Sequence, residues 1–191
     1  MLFRQIYKDD PLLPAFMEVC SKRGFNNNTS IEKLKFDYFD NVYFFAGIEN
    51  DAIKLFSGVH EFDIDGKRYW RCGFRGATVD ADQKMSRNLR INSLNVGINY
   101  YIQMQYVENI HGPSKFVHTS NTPESIDGAS RSHAVDRLMH RGISGITLLK
   151  SNYEYLYTKQ NVWLLDKELW YNDFNKYHRD NHTINVPSIL N

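Results

Sequence analysis

Two cysteines, Cys20 and Cys72, are all that the 191 residues contain. That is too few for a disulfide framework, and a lone pair in a chain of this size points to a reducing compartment. No stretch approaches the roughly 20 apolar residues that a membrane-spanning helix needs. The opening MLFRQIYKDDP has no apolar core of the kind that directs secretion. Charge of one sign is missing too. Lys and Arg number 23 against 22 Asp and Glu, a formal net charge of +1, so no global field steers the chain toward nucleic acid or acidic lipid. There is no Gly-x-Ser-x-Gly elbow, no P-loop and no dinucleotide fingerprint. Internal repeats, low-complexity blocks and linkers are absent as well. A soluble, cytoplasmic protein of one domain, 1–191, is expected, with 166–191 as an aromatic-rich C-terminal extension.

Aromatic residues are plentiful: twelve Tyr, twelve Phe and three Trp. A chain this long and this aromatic buries a substantial core without cross-links. Phe3 to Tyr7 reads as a short strand closed by Asp9-Asp10-Pro11. Leu12, Ala15, Phe16 and Val19 have the spacing of an amphipathic helix over Pro11 to Arg23, stopped at Gly24. Ser30 is placed to cap a second short helix, Ile31 to Phe36. Asn41 to Ile48, Ala52 to Phe62 and Lys67 to Val79 form three strands joined by turns at Glu49-Asn50-Asp51 and Asp63-Ile64-Asp65-Gly66. A long helix, roughly Leu89 to Ile110, ends at His111-Gly112-Pro113. Lys115 to Ser120 is a strand, Asn121 to Gly128 a loop and Ser130 to Arg141 a helix. Ile146 to Leu149 and Tyr153 to Leu165 are two more strands, and Lys167 to Asp180 has helical spacing.

The centre of this order is the stretch from Tyr69 to Tyr106: a strand, the polar turn DADQKMSRN, then the long helix. A helix start presents unbonded N–H groups and the positive end of the helix dipole to an anion. In this order of elements the chain resembles the GNAT-type N-acetyltransferases over roughly Phe3 to Leu165. The piece SHAVDRLMHRGI, Ser132 to Ile143, also resembles that family's late helix and the Gly-hydrophobic pair that closes it. The resemblance implies an α/β (α+β) fold, a mixed and mostly antiparallel sheet with helices on both faces. It further implies acyl transfer from acetyl-CoA, or another acyl-CoA, to an amine by direct attack. The family's phosphate loop reads Gln/Arg-x-x-Gly-x-Gly/Ala after a Val that ends the fourth strand. With Val79 as that Val, Lys84 takes the Gln/Arg position, Arg87 the first Gly and Leu89 the second. The family's tyrosine acid falls on Leu138.

Lys84, Arg87 and Arg90 recur at intervals of three residues and share one side of the helix start. Cations there oppose the dipole unless an anion binds. They are therefore read as a side-chain cradle for cofactor phosphate, against the alternative of a solvated basic face paired with Asp80 and Asp82. Amine acylation needs a base for the attacking ammonium and an acid for the departing thiolate. His118 is the preferred base, with Ser120 and Asn121 as polar partners and Asn121 also placed to contact the cofactor. The alternative is a hydrogen-bonded strand histidine without chemistry. His60 and Glu61 are second candidates, or else a solvent-facing strand end. Tyr153, Tyr155 and Tyr157 alternate on one face and either line a groove or pack across strands. His178 and His182 have helical ligand spacing with no third ligand, so no metal is expected. Cys72, between aromatics, reads as a small buried residue.

Arg71 and Arg75 share one strand face and Trp70 and Phe74 the other, which argues against a single-stranded nucleic-acid platform. Trp170, Phe174 and Tyr177 form a stripe that packs on the body or serves a dimer contact. The expected partners are a small-molecule or protein amine and a second copy of the chain, not membrane or nucleic acid. The competing reading is a non-catalytic protein of the same fold that binds a protein or nucleic-acid partner. The two differ at one place. An enzyme has a V-shaped cleft between the fourth and fifth strands, opened by a bulge near Gly73 or Gly76. A binding module has that cleft filled by Phe74 or Phe116. A relative using S-adenosylmethionine, like the homoserine-lactone synthases, ranks last because that family's motif residues have no counterpart here.

Overall fold

The computed structural model describes residues 2–22, 42–77, 89–121, 145–155, 158–170 and 172. The elements are β1 (Leu2–Ile6), α1 (Leu13–Lys22), β2 (Val42–Glu49), β3 (Ala52–Ile64), β4 (Lys67–Ala77), α2 (Leu89–His111), β5 (Phe116–Asn121), β6 (Ile146–Tyr155) and β7 (Thr158–Leu165). The expected helices at 31–36 and 130–141 lie outside the described residues. So do Val79, Lys84, Arg87, Leu138, Tyr157, Phe174, Tyr177, His178 and His182. No described helix is long and apolar enough to cross a membrane.

Among the described residues seven strands form one sheet in the order β1-β2-β3-β4-β5-β7-β6. Every neighbouring pair is antiparallel except β4 with β5. The β2–β3 and β3–β4 hairpins turn on Asn50-Asp51 and Asp65-Gly66, all four with φ between 51° and 74°. Left-handed backbone at both central positions suits the twist of the flanking strands, and Asn, Asp and Gly adopt it at least cost. α1 starts two residues later than its spacing predicts. Asp10 Oδ1 accepts from the Leu12 N–H at 2.8 Å and from Arg4 at 2.5 Å, so the entry is an Asx turn. Gly112, with φ 78°, ends α2 and donates its N–H to the Glu108 carbonyl at 2.9 Å.

The alternation of β2 to β5 sorts apolar residues onto two faces. Phe45, Val59, Trp70, Cys72 and Phe116 meet Tyr100, Met104 and Val107 of α2. On the opposite face Ile6, Phe44 and Phe56 meet Phe16 and Met17 of α1. Helices thus cover both faces of a mixed, mostly antiparallel sheet, as expected. On the α1 face β6 bends back over the sheet. Tyr153 and Tyr155 pack edge-on to Phe62 of β3, at 6.0 and 4.9 Å between ring centroids. The tyrosine alternation is packing at these two positions.

The last hairpin corrects the reading of the sequence. Strands are expected at Ile146 to Leu149 and Tyr153 to Leu165, but β6 runs without a break from Ile146 to Tyr155 and pairs antiparallel with β7, Thr158 to Leu165. Asn152 has φ 53° and sits at a register shift between Lys150 and Tyr153. The turn-forming residues make a β-bulge within one strand. The strand containing His60 also ends at Ile64 rather than Phe62, and Asn121 closes β5 instead of opening the loop.

Candidate active site at the β4–β5 opening

β4 and β5 pair at only two registers, Trp70 with Phe116 and Arg71 with Val117, and the Trp70 N–H donates to the Lys115 carbonyl at 2.8 Å. β4 continues to Ala77 and β5 to Asn121 with no further pair between them among the described residues. On its other edge β4 stays bonded to β3 with an irregular register: Phe56 pairs with Gly76 and Gly58 with Gly73. Three steps of β4 oppose two of β3. That extra residue is a bulge, which bends the strand and ends regular pairing, and it lies where Gly73 and Gly76 were expected to place it. The result is a V between parallel strands, closed at Arg71–Val117. Phe116 belongs to the paired end and is buried beneath α2. The side chain of Phe74 lies outside the described residues.

Two side-chain groups flank the point where the strands part. On the α2 face, His118 is buried one residue beyond the last pair. Its Nδ1 lies 2.6 Å from the Tyr100 hydroxyl and 3.4 Å from the Cys72 carbonyl oxygen. Tyr100 is held in turn against Trp170, 5.7 Å between rings. A carbonyl only accepts, so the contact with Cys72 favours the tautomer with hydrogen on Nδ1 and the basic lone pair on Nε2. Ser120, two residues on, accepts from the Trp163 indole N–H at 2.9 Å and does not meet His118 through any contact described. The Cys72 thiol is buried, and burial pushes its pKa up, which keeps it protonated and unreactive.

On the opposite face Arg71 links three strands. Its Nε donates to Thr119 Oγ1 at 2.8 Å, a terminal nitrogen lies 3.3 Å from His60 Nε2, and the guanidinium stands 5.0 Å over the Tyr155 ring. His60 Nδ1 is 2.7 Å from the Glu61 carbonyl oxygen, so Nδ1 donates there and Nε2 accepts from Arg71. Burial, and then the charge of Arg71, lower the His60 pKa to about 3. The lone pair of His60 is committed to Arg71, and the ring braces the sheet. Glu61 pairs with Arg68 at the surface.

Of the residues expected in the site, His118 lies buried beside the apex of the V. The structure places Asn121 at the end of β5 and Arg90 in the first turn of α2. Val79, Lys84 and Arg87 are outside the described residues. Trp170 is buried against Tyr100, so at this position the aromatic stripe packs on the body. Two residues of the site were missed. Tyr100 reads in sequence as one more apolar position of a helix. Arg71 reads as one of several strand cations, and only the strand order carries it to Thr119 and His60.

No family model and no curated protein match this sequence. Solved structures do match its fold. An N-acetyltransferase from Staphylococcus aureus Mu50 superposes with a TM-score of 0.57 at 10% identity, over 87% of this chain and 97% of that one. FeeM, an N-acyl amino acid synthase from uncultured soil microbes, gives 0.55 at 9% identity, over 91% and 99%. The aminoglycoside 6'-N-acetyltransferase from Enterococcus faecium gives 0.52 at 14% identity, over 87% and 96%.

Proposed function

We propose that this chain, whose fold is the GNAT-type N-acetyltransferase fold, transfers an acyl group from an acyl-CoA to an amine. The observation that carries the reading is the V between β4 and β5, opened by a bulge on β4. Past Arg71 the β5-facing edge of β4 forms no ladder with β5 among the described residues, and such an edge suits an extended, amide-bearing chain. The donor supplies a thioester, an acyl carbon already activated toward nitrogen.

Lys84 and Arg87, which precede α2 in sequence, and Arg90 in its first turn hold the donor's phosphates, with Val79 and Asn121 as further cofactor contacts. α2 has no acidic residue in its first turn to compete with them. His118 takes on Nε2 one of the two protons that the acceptor nitrogen loses, and water takes the other. The acceptor is a small-molecule or protein amine. The neighbours named for amino acid and aminoglycoside acylation set the first compounds to try.

The test follows thiol release from acetyl-CoA in the presence of amino acids, polyamines and aminoglycosides. Amine-dependent release is expected, reduced on the order of 10²-fold or more in His118→Gln. Release with no amine in such a set, or an unchanged rate in the variant, contradicts the proposal.

A further inference from the structure

We infer that Tyr100 is a second proton-carrying residue at this opening, forming with His118 a relay from the attacking amine to the departing sulfur. The inference rests on the acyl-transfer reading and adds to it the acid that the reaction needs. Tyr100 is fully buried on α2, and its hydroxyl lies 2.6 Å from His118 Nδ1, within one hydrogen bond. The Cys72 carbonyl, 3.4 Å from the same nitrogen, favours hydrogen on Nδ1. The Tyr100 oxygen then accepts from Nδ1 and its own O–H is turned elsewhere. Cys72 and His118 are the first residues past the last β4–β5 pair, so the dyad sits at the apex of the V.

In the transfer a bond forms from amine nitrogen to acyl carbon and the carbon–sulfur bond breaks. The ammonium loses two protons, one to water before attack and one as the amide forms, and the thiolate gains one. His118 Nε2 accepts the second, Nδ1–H passes to the Tyr100 oxygen, and the Tyr100 O–H proton goes to sulfur. Tyr100 ends unchanged. His118 ends as its other tautomer and is restored by proton exchange with water. One contact thereby supplies base and acid together, with no other residue required.

Nitrogen-15 NMR of the histidine side chains in the wild-type protein tests the dyad without any substrate. Neutral His118 is expected with hydrogen on Nδ1 and a bare Nε2, and Tyr100→Phe is expected to shift the proton toward Nε2. Hydrogen on Nε2 in the wild type overturns the relay. With an amine that is turned over, Tyr100→Phe should lower kcat about 10²-fold and leave KM for acetyl-CoA within about twofold. An unchanged kcat also overturns it. The two failures are distinguishable. Turnover with hydrogen on Nε2 removes the relay alone, whereas no turnover of any amine removes the acyl-transfer reading and the relay with it.

Discussion

His60 and His118 look alike in sequence, each a histidine inside a strand with polar neighbours, and the structure gives them opposite chemistry. They project from opposite faces of the sheet. His118 meets a tyrosine hydroxyl and a carbonyl. His60 is held between the Glu61 carbonyl and a guanidinium. Burial first and Arg71 second lower the His60 pKa from 6.5 to about 3. Between those values an unfolded chain binds a proton there and the native protein does not, so the native state loses stability as pH falls through that window. Urea unfolding of the wild type and His60→Gln at pH 7, 6, 5 and 4 checks this. The wild type should lose up to about 1.4 kcal/mol per pH unit more than the variant, and parallel profiles would disprove the assignment. The face each side chain occupies was readable from strand parity. What it touches there was not, because Tyr100 and Arg71 arrive from elements 18 and 11 residues away.

At the level of elements, glycines carried most of the readable information. Gly73 and Gly76 marked the bulge on β4, since an extra residue in a strand is easiest to place where no side chain must be accommodated. The strand break expected between Leu149 and Tyr153 failed for a related reason: residue types such as Ser151 and Asn152 serve a bulge as well as a turn, and only hydrogen bonding separates them. Gly145, before β6, shows how tightly the segment after β7 is held. Its φ is +88°, and a Cβ there would lie 2.7 Å from the Trp170 nitrogen and 3.0 Å from the Asp166 carbonyl oxygen. Asp166 donates its N–H to the Gly145 carbonyl at 2.8 Å. Gly66 shares the backbone strain, with φ +74° and open space around it. Gly66→Ala is expected to cost about 1 kcal/mol from conformation alone. Gly145→Ala should cost about 2 kcal/mol more, because backbone must shift as well. Equal melting temperatures for the two variants would show that the contact with 166–170 is loose.

Across the whole molecule, the order of elements was legible from periodicity and turn residues, and with it the fold. Strand alternation separated the α1 face from the α2 face, and the one parallel pair follows from a helix intervening between β4 and β5. A cofactor-binding loop was not legible in the same way, because Arg87 and Leu89 stand where the resemblance places glycines, and Lys84 and Arg87 lie outside the described residues. What decides the function is whether this chain holds an acyl donor at the opening. Calorimetric titration with acetyl-CoA and with desulfo-CoA, repeated on the Arg87→Ala, Arg90→Ala double variant, measures that directly. Binding of both compounds with a Kd on the order of 1 μM, lost in the double variant, is the predicted result. No heat and no thermal shift at millimolar concentration would contradict the claim.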